Sequence, residues 1–153
     1  NQLKQLPDFE NTIVVFVSDH GKTNFVNNYK FTDQFFHIPV LFWGGAIKDD
    51  YKGHNIDKIG SQIDVSKTLL NQLNYNTSQF NWSKDLLNPF VNEWAILTTS
   101  DTYCMKTKDG YVTYHIKENN INDTNFSDTL KAKKEVKNTQ AVIESVYREF
   151  QNF

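Results

Sequence analysis

Two continuous apolar runs dominate the first third of the chain. Ile13-Val14-Val15-Phe16-Val17 is mostly β-branched, and Ile38-Pro39-Val40-Leu41-Phe42-Trp43 follows about twenty residues later. Runs without polar alternation fit strands covered on both faces, as in a parallel sheet, so strands are expected over 12–17 and 38–43. Pro39 is tolerable near a strand start, where it costs no ladder bond. Further on, Ile63, Leu69, Leu70 and Leu73 share one stripe, which predicts a helix over 64–73 with Ser61 or Asp64 as its cap. Past Pro89 the pattern alternates. Trp94 to Thr98, Thr102 to Thr107 and Gly110 to Ile116 read as short strands, joined by turns at Ser100-Asp101 and Lys108-Asp109-Gly110. An Asp-Gly pair between β-prone runs is a strong hairpin signal. Glu118 to Asn125 reads as a polar linker. Ser127 then caps a long helix running to about Phe150. Its stripe of Val136, Ile143, Val146, Tyr147 and Phe150 is expected to pack on the meander.

This order predicts an α/β arrangement over residues 1–89 and a small antiparallel meander plus terminal helix over 90–153. Lys22 to Phe36 reads as a long loop, and loops of that length inside compact domains tend to be functional. Ala46 to Gly60 reads as a surface excursion and Asn74 to Pro89 as irregular chain.

Composition narrows the function classes. With 39% hydrophobic, 22% charged and 14% aromatic residues, the chain is that of a globular protein. A net charge of -2 gives no electrostatic argument for nucleic acid. Lys131, Lys133, Lys134 and Lys137 fit the solvated face of a helix. The lone Cys104 excludes an internal disulfide and a cysteine-rich zinc site. No apolar run approaches the ~18 residues of a membrane span. Asn1 to Glu10 resembles the tail of a preceding helix followed by a loop around Pro7, so targeting information is expected upstream. Four N-x-S/T triplets, at Asn76, Asn81, Asn122 and Asn125, fit chance in an Asn-rich sequence.

The candidate chemistry sits where the first apolar run meets Ser18-Asp19-His20-Gly21. Ligands of open α/β sheets lie beyond the carboxyl ends of strands. Adjacent strand residues point to opposite faces, so Asp19 and His20 converge on one ion only if the strand has already turned, which Gly21 permits. A carboxylate beside an imidazole suits zinc or manganese, although a metal site needs three or four ligands. His37, before the second strand, lies at the same sheet edge if the strands are parallel. It either contacts a bound anion or is hydrogen-bonded at a strand start. Lys22 could likewise reach an anion or stay solvated. His54 and His115 receive no role, Asp64 is most simply a cap, and nothing near Cys104 suggests an activated thiolate. No Gly-rich phosphate loop, nucleophile elbow or His-Glu-x-x-His is present.

The ordered string of apolar strand, Ser-Asp-His-Gly, variable loop, His37-Ile-Pro-Val-Leu-Phe-Trp-Gly-Gly45 and Gly60-Ser-Gln-Ile-Asp-Val-Ser-Lys-Thr-Leu-Leu70 resembles the sulfatase-like branch of the alkaline phosphatase superfamily. The nearest likeness is to the lipoteichoic acid synthase or phosphoglycerol transferase group, which Lys84-Asp85-Leu86-Leu87 and Lys108-Asp109-Gly110-Tyr111-Val112 also resemble. Asn24 to Tyr29 hold no Leu-His-Gly, which argues against the phosphoethanolamine transferase branch. The resemblance implies the C-terminal part of a mixed sheet flanked by helices, followed by a small antiparallel sheet and a long C-terminal helix. It implies that Asp19 and His20 ligate one divalent metal (Mn, Zn or Mg, with Ca possible). It places the nucleophile and the remaining ligands upstream, with no catalytic nucleophile in this chain. The implied substrate is an anionic phosphate or sulfate ester, with His37 and Lys22 as substrate contacts. The implied full-length enzyme is membrane-anchored in the cell envelope, facing the outer side of the cytoplasmic membrane, the periplasm or the exterior. This fragment alone is expected to be inactive. A secreted sulfatase and a non-catalytic binding or assembly domain are the alternatives.

Overall fold

β1 (Val14–Val17) and β2 (Val40–Trp43) pair antiparallel, from Val14 opposite Trp43 to Val17 opposite Val40. This corrects the expectation of a parallel, doubly covered pair. A continuous apolar run shows that both faces are apolar, but it carries no information about the direction of the neighbour. Nor are the strands buried among the described residues: Phe16 is 48% and Leu41 55% exposed. Val15, Phe16, Val17, Ser18, Pro39 and Leu41 line an open apolar groove on this ribbon.

The computed structural model describes residues 2–21 and 36–152. The loop expected over 22–36 therefore lies almost wholly outside the described residues. Beyond β2, the ribbon is tied to the preceding segment. Trp43 packs on Phe9 with ring centroids 5.1 Å apart, and the Ala46 N–H donates to the Thr12 carbonyl at 3.3 Å. Gly44, at φ +149°, makes this approach possible, because a Cβ there would stand 2.0 Å from the Thr12 oxygen.

Compactness divides the chain into Asn1–Asp57 and Lys58–Phe153, so the boundary at residue 89 read from the sequence falls inside the second unit. That unit begins with α1 (Gln62–Gln72), capped by Ser61 in a capping box with Asp64. The leucine stripe is not what anchors α1. Ile63 and Leu73 are exposed, and the buried residues are Asp64 and Thr68. Asp64 accepts the Ser61 N–H at 2.8 Å, the Lys84 N–H at 2.7 Å and the Lys84 ammonium at 2.8 Å. That ammonium also lies 4.0 Å from the centre of the Trp94 ring. The Thr68 hydroxyl accepts the Leu86 N–H at 2.9 Å, and the Asn71 amide donates to Asp85 at 3.0 Å. The segment after α1 is irregular as expected, but these side chains hold it in place.

The rest of the unit is a four-stranded antiparallel sheet in the order β3-β4-β5-β6: Trp94–Thr98, Thr102–Thr107, Gly110–His115 and Asn120–Thr124. β6 replaces the polar linker expected there. Its approach turns at Asn119, which takes φ 53°, a conformation that Asn tolerates well. α2 (Thr129–Gln151) is capped by Asp128, not Ser127: the Asp128 carboxylate accepts the Leu130 N–H at 2.8 Å. Ala132 and Val136 join Tyr103, Met105, Val112 and Tyr114 in the core, with Ile143 packed against it. Val146, Tyr147 and Phe150 do not pack as the stripe predicted; Tyr147 is 65% and Phe150 76% exposed. The physical reason is length. A helix of 23 residues runs about 34 Å, whereas a six-residue strand spans about 20 Å, so α2 overhangs the sheet. Its far end is fastened instead by Glu149, which accepts the Trp82 indole N–H at 2.6 Å.

Candidate metal site

β1 stops at Val17 because its partner runs out of donors. The next register position opposite Ser18 is Pro39, which has no N–H to contribute to the ladder. Released from pairing, Ser18 to Gly21 turns. The Ser18 hydroxyl donates to the His20 carbonyl at 2.7 Å, and the His20 N–H donates to Asp19 Oδ1 at 3.0 Å. The alternation that would send Asp19 and His20 to opposite faces is thereby broken.

The outcome is a pair of donor atoms. Asp19 Oδ2 and His20 Nε2 lie 3.7 Å apart, with both side chains largely exposed. Two ligands on one tetrahedral zinc, each at 2.0–2.1 Å, stand about 3.3 Å apart, so a small rotation of either side chain brings both onto one ion. His20 Nδ1 is 2.7 Å from the Gly21 carbonyl oxygen, which can only accept. In the neutral ring the proton therefore sits on Nδ1, and the lone pair sits on Nε2, the nitrogen turned toward Asp19. This arrangement matches what a ligating histidine needs, its other nitrogen held by a carbonyl. The residues present thus fit part of a divalent-metal site. Among the described residues, no group of three or more His, Cys, Asp or Glu could hold an ion.

The other sequence candidates are placed as follows. Antiparallel pairing brings the exit of β1 and the start of β2 to one end of the ribbon, so His37 stands at the same edge as Asp19 and His20. It does so because the strands are antiparallel, the reverse of the condition expected. Lys22 lies outside the described residues. Asp64 is a buried structural carboxylate and Cys104 is a buried residue of β4. Ser18 and the Gly21 carbonyl were not singled out from the sequence. The signal available was the hydroxyl immediately before Asp-His, a residue type that commonly clips the backbone two residues on.

Residues 1–75 match the family model Sulfatase. Over that stretch, just under half of the chain, the protein is similar to the sulfatase family. The stretch takes in the ribbon, the Asp19-His20 turn and α1, and ends just past that helix. A crystal structure of a protein in the alkaline phosphatase superfamily from Vibrio parahaemolyticus is similar over 86% of this chain and 34% of its own, with a TM-score of 0.63 and 20% identity. At that identity the likeness shows the fold, and it takes in more of the chain than the 75 residues of the family match. The chain spans about a third of the length of that solved protein. No curated protein matches it significantly.

Proposed function

We propose that this chain belongs to the sulfatase family and contributes Asp19 and His20 to a divalent-metal centre that acts on a phosphate or sulfate ester. The observation that carries the reading is the 3.7 Å approach of Asp19 Oδ2 to His20 Nε2 at the exit of β1. A divalent ion there lowers the pKa of an attacking hydroxyl and neutralises charge on the anionic ester. In this chain, Asp19 supplies a negative charge and an oxygen donor. His20 supplies a neutral nitrogen donor whose tautomer is set by the Gly21 carbonyl. His37, at the same end of the ribbon, is the proposed contact for the ester's anionic oxygens. The nucleophile and remaining ligands belong to residues other than those described.

Within the family, the reading favoured is transfer of a phosphoglycerol-type group at the outer face of a membrane. Its support is the ordered resemblance running from Gly60-Ser61-Gln62 through Lys84-Asp85-Leu86-Leu87 to the Lys108-Asp109-Gly110 turn. The test uses the full-length polypeptide with added Mn2+, offered a phosphoglycerol lipid and, separately, an aryl sulfate. Asp19→Ala and His20→Ala are each expected to abolish metal-dependent turnover and to weaken Mn2+ binding in calorimetry. Normal turnover by either variant would sink the metal assignment. Cleavage of the sulfate ester alone would replace transfer by sulfatase activity.

A further inference from the structure

We infer that Ser18 is a positioning residue for the metal pair, an assignment that rests on the metal reading above. Asp19 and His20 are consecutive, and in an extended strand their side chains would diverge. Three features bend them together. Pro39 ends the ladder opposite Ser18, the Ser18 hydroxyl donates to the His20 carbonyl at 2.7 Å, and the His20 ring reaches the Gly21 carbonyl at 2.7 Å. Of these, the Ser18 bond is the one that fixes the His20–Gly21 peptide. That peptide carries on one side the carbonyl Ser18 holds, and it leads directly to the Gly21 carbonyl that holds Nδ1. If the peptide rotates, the Gly21 carbonyl leaves the ring. Nε2 then loses both its direction and its tautomer. Ser18 thus acts on the ion through His20 without touching it.

The residue type matters as well as the bond. An alanine keeps the strand exit and removes the clip, whereas a threonine keeps the hydroxyl on a β-branched carbon suited to the end of β1. Partners that orient a ligating histidine typically change metal affinity by 10–100-fold when removed. The Ser18 clip is a single neutral bond acting one peptide away, so the low end applies. A roughly tenfold loss is expected.

The experiment is Mn2+ titration of the full-length polypeptide as wild type, Ser18→Ala and Ser18→Thr. It is accompanied by 15N shifts of the histidine rings in the metal-free proteins. Wild type should bind Mn2+ with His20 protonated on Nδ1. Ser18→Ala should bind roughly tenfold more weakly and show His20 exchanging between both tautomers, and Ser18→Thr should restore both readouts. If Ser18→Ala binds within twofold of wild type and keeps the Nδ1–H form, the assignment of Ser18 is overturned while the metal reading stands. If wild type itself fails to bind Mn2+, the metal reading falls and this assignment falls with it.

Discussion

Replacing Lys84 with methionine probes the buried joint between α1, the irregular segment and β3. Asp64 is fully buried and Lys84 is nearly so, with the ammonium 2.8 Å from the carboxylate and 4.0 Å from the Trp94 ring centre. Methionine keeps the stem of the lysine and removes its charge. Asp64 retains two backbone donors, the Ser61 and Lys84 N–H groups, but loses its counter-ion. Breaking a buried pair from one side costs about 3–5 kcal/mol because it leaves a charge uncompensated. The retained donors and the contact of a methionine sulfur with Trp94 place this case at the lower end, about 3 kcal/mol. In urea unfolding, with a slope of about 1.5 kcal/mol/M, the midpoint should fall by about 2 M. Asp64→Asn should also destabilise, since its amide NH2 must face one of two N–H donors. The double variant Asp64→Asn/Lys84→Met should lose less than the sum, with a coupling of about 1–3 kcal/mol. Hydrogen exchange at the Ser61 and Lys84 amides reports the joint directly and should accelerate in each single variant. A loss below about 0.5 kcal/mol in Lys84→Met, or strict additivity in the double variant, would refute the argument by showing a pair screened as a surface pair is.

Three further outcomes test other parts of the fold. Gly44→Ala should cost about 2–4 kcal/mol and expose residues near Thr12 to limited proteolysis, since its Cβ would collide with the Thr12 carbonyl at 2.0 Å. Thr113→Val should stabilise by about 1 kcal/mol in thermal unfolding, because the fully buried Thr113 hydroxyl has no hydrogen-bond partner among the described residues. Burial, reinforced by Tyr114, pushes the Tyr103 phenol up to about 12. Its folded pKa is raised, so its contribution is complete below pH 10 and is lost as pH rises toward 12. The loss is on the order of 2 kcal/mol, and Tyr103→Phe should flatten that alkaline slope.

What the sequence made legible follows the range of the interaction concerned. β3, β4 and β5 end within a residue of their expected bounds, because Asp101 and Asp109-Gly110 announce their turns locally. β6 escaped because Asn120-Ile121-Asn122-Asp123-Thr124 contributes only Ile121 to the core, and its strand character comes from pairing with β5. The cap of α2 shifted by one residue, since Ser127 and Asp128 are both good caps and local chemistry does not choose between them. The direction of β2 was illegible for a stricter reason: Val40 to Trp43 are apolar on both faces, so neither pairing direction changes what is buried. Asp64 shows the same limit in a polar residue. Its role as a cap is written three residues away in Ser61, but its burial depends on Lys84 and Trp94, which lie 20 and 30 residues on.

The turn that brings Asp19 beside His20 was readable for the opposite reason, as the contacts that shape it lie within four residues and one cross-strand proline. Asp and His side by side after an apolar run point to a ligand pair without knowledge of the partner strand. The pair's geometry then sets a limit on its chemistry. Two donors on side chains 87% and 66% exposed stay hydrated, and hydrated ligands hold an ion weakly unless further donors converge and exclude water. On the proposed reading, the strength of the site therefore comes from residues other than those described. What this chain contributes on that reading is orientation: a strand that ends opposite Pro39, a serine that closes the turn, and a histidine that presents Nε2.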